Sequence, residues 1–328
     1  MILAGDIGGT STRLACFEVQ KGRLVNLTEK TFPSRKFKTL EEIVATFARG
    51  LKFHVRHACF GIAGPVQNGR VQATNLPWEI ESTVLAEVAG LASATLINDL
   101  EANAYGVEVL RPEEFVTLNP GDPNAAGNQA VIAAGTGLGE AGMFWDGTRH
   151  RPFACEGGHC DFAPCTELES ALLEYLKKKF GRVSYERVLS GPGLYNIYQF
   201  LRDTGVKKES ADIAAQMKET DPSMVISRAA LAEADPLCTQ TLDLFVTFYG
   251  SEAGNLALKI MSTGGVFLGG GIAPKILEKL KSPLFMENFL DKGRMRPLLQ
   301  AMPVRVITNE NTALLGAALC AAQRAGEM

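Results

Sequence analysis

Apolar residues in this chain cluster into short blocks, and one arrangement of blocks occurs twice. MILAGD at 1–6 runs into IGGTST and then RLACFEV; QAVIAA at 129–134 runs into GTGLG and then EAGMFW. Each copy reads as an apolar strand, a tight glycine–threonine turn and a second strand. The segments after the glycines are rich in β-branched and aromatic residues, which predicts hairpins rather than turns that open helices. A glycine turn can bring bare backbone N–H groups against phosphate oxygens, because no Cβ stands in the way. Two such hairpins, far apart in sequence, predict two lobes that close on one nucleotide.

Between and beyond the hairpins the pattern alternates. Helical spacing over 39–50 is followed by a buried strand at 58–63, a short strand at 69–73, a helix at 80–91 and a strand at 94–97. That order predicts an α/β domain with a mixed sheet. A boundary is expected near Arg111 and Pro112. The stretch from 167 to 261 reads as mainly helical, 266–268 as a strand, 274–281 as a helix with Pro just inside its start, and 304–307 as a strand. The last segment, 312–323, is apolar nearly all round and so must pack closely against other structure. It is expected to return to the first lobe. The domains expected are therefore 1–110 plus 300–328, a small α/β domain, and 111–299, a larger α+β domain.

Length agrees with two domains, at 328 residues. The net charge of −3 favours neither nucleic acid nor an anionic membrane as a partner, and the longest basic run, Lys177–Lys179, reads as a solvated helix face. Seven cysteines, an odd number without paired spacing, point to reduced thiols and a cytoplasmic location. No apolar stretch reaches the roughly 18 residues needed to span a bilayer. The opening residues read as a buried strand rather than a signal peptide.

Four places can carry chemistry. Asp6 ends a buried strand just before the first glycines, where it could be a magnesium ligand on a nucleoside triphosphate or simply accept turn N–H bonds. Asp99, beside Asn98, lies at the C-terminal end of a strand, where ligands meet open α/β sheets; the pair can equally cap the helix that follows. Glu156 and His159, separated by two glycines, can offer acceptors and donors to one polyol, or form a solvated loop. Gly269, Gly270 and Gly271, followed by Pro274, suit the border of a flat ligand such as adenine, or ordinary tight packing. Zinc at His159, Cys160 and Cys165 lacks the paired spacing that would support it.

Taken in order, DIGGTSTR at 6–13, GIAGPV at 61–66, NLPW at 75–78, Asn98-Asp99, GTGLG at 135–139, EGGHCDF at 156–162, ERVLSGPGL at 186–194 and GGVFLGGGIAP at 264–274 form a specific set. The set resembles the bacterial glucokinases, in the hexokinase branch of the actin-like ATPases, over nearly the whole chain. The resemblance implies a two-lobed α/β actin-like ATPase (ribonuclease H-like) fold with a central cleft. It implies ATP-dependent phosphorylation of glucose to glucose 6-phosphate, with ATP and Mg2+ and with Asp99 as general base. Asn98, Asp99, Glu156, His159 and Glu186 would bind the sugar. Asp6, Gly8, Gly9 and Thr10 would form the first phosphate motif and Gly135, Thr136 and Gly137 the second, with Thr136 near the terminal phosphates. Gly269, Gly270 and Gly271 would border the adenosine, and Asp6 would hold the metal. A homodimer is the family expectation.

Departures from the family pattern are few. Thr10-Ser11-Thr12 replaces a Thr-Asn-Ala-like stretch, and Cys160 and Cys165 stand where the group often has Val and Asn. The alternatives are a kinase for another hexose or an amino sugar, a non-catalytic sugar-sensing regulator, and an actin-like chaperone or filament subunit. A regulator would usually add a basic recognition helix, which is not evident here; a filament subunit has no use for the sugar set.

Overall fold

The computed structural model describes residues 1–328. In chain order the elements begin with strands β1 (Ile2–Ile7), β2 (Ser11–Gln20) and β3 (Arg23–Pro33), then helix α1 (Leu40–Arg49), β4 (His57–Ile62), β5 (Arg70–Gln72) and β6 (Glu79–Glu81). They continue with α2 (Ser82–Ala89), β7 (Ser93–Asn98), α3 (Asp99–Val107), β8 (Phe115–Asn119), β9 (Gln129–Ala134), β10 (Leu138–Trp145) and β11 (His150–Cys155). A helical stretch follows: α4 (Glu167–Phe180), α5 (Gly191–Asp203), α6 (Ala211–Glu219), α7 (Pro222–Leu231) and α8 (Pro236–Ile260). The chain ends with β12 (Gly265–Gly269), α9 (Leu277–Leu280), α10 (Pro283–Leu290), α11 (Arg296–Gln300), β13 (Val304–Ile307) and α12 (Thr312–Arg324). No helix is long and apolar enough to cross a membrane.

Two compact units result. The first comprises Met1–Glu114, Pro152–Ala154 and Asn309–Met328, the second Phe115–Arg151 and Cys155–Thr308. The first is built on a five-stranded sheet in the order β3-β2-β1-β4-β7, with β1 antiparallel to β2 and parallel to β4. Its central strands are buried along their length, which is why they read as continuous apolar runs. Helix α12 packs on that sheet beside α3, and its small residues are what permit it. A Cβ at Gly316 would collide with the backbone carbonyl of Ala102, so the two helices touch backbone to backbone. The alanine-rich character of 312–323 is the sequence trace of that contact.

The second unit is built on a six-stranded sheet in the order β11-β10-β9-β12-β13-β8, of whose edge strand β11 the residues Pro152–Ala154 are grouped with the first unit. Helix α8, 25 residues long, starts with Pro236 after an Asp235 cap whose side chain accepts from the Cys238 amide. It buries Phe245, Val246, Tyr249 and Ala253. The Tyr249 hydroxyl reaches the carbonyl of Ile132 on β9 at 3.3 Å, which ties helix to sheet.

Several elements differ from the sequence expectation. The helix expected over 80–91 opens as strand β6, and α2 stops at Gly90 in the left-handed conformation, φ 64°. The helix expected over 274–281 is a 3-10 turn, Ala273–Ile276, followed by the single turn α9, because Ile276 at φ −108° and ψ 21° leaves the helical path. Strands β3 and β11 carry too little apolar patterning to be read. Strand β13 pairs with β12 and β8 and so belongs to the second unit's sheet. The chain returns to the first unit at Asn309 rather than at residue 300.

Candidate active site

In the first unit, Asp6 sits near the end of β1, opposite Arg13 across the hairpin and beside Gly61 on β4. Burial pushes its carboxyl pKa up, against the lowering pull of Arg13. The turn itself is closed by the Gly8 amide donating to the Ser11 carbonyl at 3.0 Å. Behind it lies a residue that sequence reasoning missed. The Ser34 hydroxyl donates to the Gly8 carbonyl at 2.7 Å and lies 3.0 Å from the Thr12 hydroxyl, while its amide donates to the Thr10 carbonyl at 3.0 Å. Thr12 is fully buried. The Thr10-Ser11-Thr12 departure therefore serves the turn's support, and Thr10 itself stays exposed. Asn75, of the NLPW motif, comes up against Gly9: a Cβ there would lie 2.7 Å from the Asn75 Cβ.

The capping role at the end of β7 falls to Asn98. Its Oδ1 accepts from the amides of Leu100 (2.8 Å) and Glu101 (3.4 Å), and its Nδ2 donates to the Gly64 carbonyl at 3.2 Å. At 6% exposure it spends both oxygen lone pairs and one N–H on the protein, which leaves a single N–H for anything else. Asp99 is the first residue of α3 and partly exposed. The first unit thus gathers Asp6, Gly8, Gly9 and Thr10 in one hairpin, and Asn98 with Asp99 at one helix start.

In the second unit, the turn between β9 and β10 is closed by the Gly135 amide donating to the Gly137 carbonyl at 2.8 Å. Two further motifs converge on it. The Leu138 amide donates to Glu186 Oε2 at 3.1 Å, and the Gly191 amide at the start of α5 donates to the Gly135 carbonyl at 2.8 Å. Glu186, expected only at the sugar, is a direct partner of the second turn. Glu156 precedes a 3-10 turn that His159 ends, with His159 Nε2 4.0 Å from Glu156 Oε2 and both side chains more than half exposed.

A cavity of about 720 Å³ opens beside this turn, within the range usual for small-molecule sites. Gly135 and Thr136 stand at its wall, as do Gly271 and Ile272. Of the three glycines expected there, Gly271 alone lines the cavity; Gly269 is the buried last residue of β12, and Gly270 turns the chain at φ 78°. The rest of the wall was not read from the sequence. Tyr195 of α5, Met224 and Ser227 of α7, and Lys275 come from separate elements that only tertiary packing brings together.

These motifs sit on a chain matched over residues 3–324 by the sequence model of the Glucokinase family. The chain belongs to the glucokinase family. A curated glucokinase from a Nostoc species is 43% identical, over 98% of this chain and 99% of the relative. The crystal structure of a glucokinase from an Antarctic psychrotroph superposes with a TM-score of 0.81 at 33% identity, covering 98% of each chain. A ROK-family glucokinase from Streptomyces griseus, solved with glucose and AMPPNP, shares the fold with a TM-score of 0.67 at 21% identity, over 98% of this chain and 99% of that one. The two-unit α/β architecture is thus that of the solved glucokinases.

No group of three or more His, Cys, Asp or Glu side chains is placed to hold a metal ion by itself. A magnesium ion on a nucleotide does not need one, since phosphate and water oxygens complete its shell around one or two carboxylates. Asp6 is a donor of that kind: a single carboxyl, partly buried beside a glycine turn, whose charged form burial disfavours until a cation arrives.

Proposed function

We propose that this protein transfers the γ-phosphoryl group of ATP to the 6-hydroxyl of glucose, giving glucose 6-phosphate and ADP. The observation that carries the reading is the cavity of the second unit. It runs from Gly135 and Thr136 of the β9–β10 turn to Gly271, Ile272 and Lys275, which suits a nucleotide with its phosphates at the turn and its adenosine against α5 and α7. Phosphoryl transfer asks mainly for positioning and charge neutralisation, because its transition state is loose and anionic.

In this reading Asp99 accepts the hydroxyl proton as the new O–P bond forms and the bond from the γ-phosphorus to the bridging oxygen breaks. Glu156, His159 and Glu186 orient the sugar ring, and Asn98 fixes the start of α3 on which Asp99 stands. Gly8, Gly9 and Thr10, and on the other unit Thr136 and Gly137, hold phosphate oxygens. Asp6 would hold the magnesium ion, which supplies charge neutralisation to the phosphates when bound. The seven free thiols suit a reducing cytoplasm, and we expect a homodimer from the resemblance.

A coupled assay of ADP production tests this, with ATP as donor and a panel of hexoses and amino sugars at equal concentration. Glucose-dependent ADP release with the highest kcat/KM for glucose supports the reading. Equal or faster turnover of another sugar, or sugar binding without ADP, overturns it.

A further inference from the structure

Beneath the loop that carries Glu156 and His159 lies a pair of carboxyls that phosphoryl transfer does not use. Glu140 on β10 is 1% exposed and Glu252 on α8 is fully buried. The Glu140 carboxyl lies within hydrogen-bond reach of Glu252, yet its Oε1 finds no donor among its neighbours. Glu252 is well served: Lys259 Nζ stands 3.3 Å from Oε1, and Asn255 Nδ2 donates to Oε2 at 2.8 Å. Asn255 also donates to the Tyr185 hydroxyl at 3.1 Å, and Tyr185 adjoins Glu186.

Charge counting decides the state of the pair. One ammonium, Lys259, makes an ion pair with this pair of buried carboxyls; Lys292, half-buried, feels the Glu252 charge but its ammonium reaches Ser251 instead, and burial lowers its pKa. Tyr249 and Cys155, the other groups that face Glu140, are neutral acids whose own ionisation burial opposes. A second uncompensated carboxylate in this interior would be costly, and two carboxylates offer no proton with which to bond each other. One shared proton removes both problems. The donors decide where it sits: Lys259 and Asn255 both face Glu252 and favour its charged form, while Glu140 has an oxygen without a donor, and burial with the Glu252 charge pushes the Glu140 carboxyl in the same direction, up to about 8.

Glu140 is also the floor of the loop. A Cβ at Gly157 would collide with Glu140 Oε2, and one at Gly158 with the Leu138 carbonyl. The double glycine between Glu156 and His159 is thus what lets the loop settle directly on the acid pair.

We propose that Glu140 is a positioning residue for the sugar loop: it stands as the neutral acid, donates its proton to Glu252, and so fixes the height of Gly157 and the aim of Glu156 and His159. The effect on catalysis rests on the reading of Glu156 and His159 as sugar ligands; the proton bond does not. Infrared spectroscopy of the full chain tests the bond. A protonated-carboxyl C=O band at pH 7 that is lost in Glu140→Gln supports it; identical spectra overturn it.

Steady-state kinetics test the positioning. Glu140→Gln keeps a donor toward Glu252 and should hold the glucose KM within about threefold of the parent, whereas Glu140→Ala should raise it at least ~10-fold, with the ATP KM within about twofold in both. Should the alanine variant not fold, Glu140→Asp, whose shorter arm cannot reach both Glu252 and the loop, should raise the glucose KM in the same direction. A glutamine variant as impaired as the alanine or aspartate variant, or an unchanged KM in all, overturns the proposal. Glu156→Gln separates the two readings: an unchanged glucose affinity there, with the infrared band intact, removes the sugar assignment and leaves the proton bond standing.

Discussion

Glu186 Oε2 accepts a hydrogen bond from the Leu138 amide at 3.1 Å, so the residue proposed here for the sugar is fastened to the first position after the β9–β10 turn proposed for the phosphates. Ser190 ties the same segment back, its hydroxyl donating to the Glu186 carbonyl at 2.7 Å and accepting from the Gly193 amide at 3.0 Å. The β9–β10 turn, the 3-10 turn at Tyr185–Arg187 and the start of α5 are therefore one hydrogen-bonded assembly.

Replacing Glu186 should consequently disturb both substrates. Glu186→Ala strands the Leu138 amide and, on the proposed reading, removes a sugar acceptor, a loss of about 2 kcal/mol. The glucose KM and the ATP KM should each rise, by roughly 10-fold and roughly 3-fold respectively. A full bisubstrate initial-rate grid measures both. A rise confined to glucose would show that the amide contact does not hold the turn.

Asp99 carries a different kind of prediction. It is the first residue of α3, held by a cap that belongs to Asn98, so Asp99→Asn leaves the helix start intact while removing the proposed proton acceptor. Turnover should fall at least ~100-fold, with the glucose dissociation constant within about 10-fold of the parent. Titration calorimetry and the coupled assay together read the split. Retained turnover would remove Asp99 from the role of base.

The cavity offers a third. Ser227 lines it from α7, with its hydroxyl turned back to the Ser223 carbonyl at 2.8 Å. Ser227→Trp places an indole where the adenosine is expected, so the ATP KM should rise at least ~10-fold. Glucose binding measured without nucleotide should stay within about twofold, since Glu156 and His159 are on a different loop. Unchanged ATP kinetics would place the nucleotide elsewhere.

What could be read in advance follows from where the information lies. The two hairpins and the return of α12 were legible because glycine turns and an all-round apolar helix leave local marks. Strand β3 left none: it is an edge strand, mostly exposed, with Glu29 and Lys30 where a core strand would be apolar. Ser34 and the cavity residues Tyr195, Ser227 and Lys275 are ordinary in sequence and acquire meaning only through neighbours from distant segments. Asn98 and Asp99 were found as a pair, but only the hydrogen bonds show which one caps the helix. The Glu140–Glu252 pair was hidden twice over, since its members lie on separate elements and a glutamate in a strand reads as solvent-facing.

That pair also sets how stability depends on pH. The Glu140 carboxyl is pushed from its ordinary 4.5 up to about 8 in the folded state. Between those values the native chain keeps a proton that the unfolded chain has released, so the unfolded state binds fewer protons and stability falls as pH rises. Below about 4.5 both states hold the proton and the slope from this group vanishes. The contribution cannot exceed one proton, about 1.4 kcal/mol per pH unit. Asp6 is shifted in the same direction, but it is present in parent and variant alike and cancels in their difference. Glu140→Gln carries no proton to lose. Its urea midpoint should therefore decline less than the parent's between pH 5.5 and pH 8, and the two curves should diverge most at the alkaline end. Parallel curves would mean that Glu140 is ionised in the folded protein, leaving Glu252 to face a second negative charge with Lys259 as its one close counter-ion.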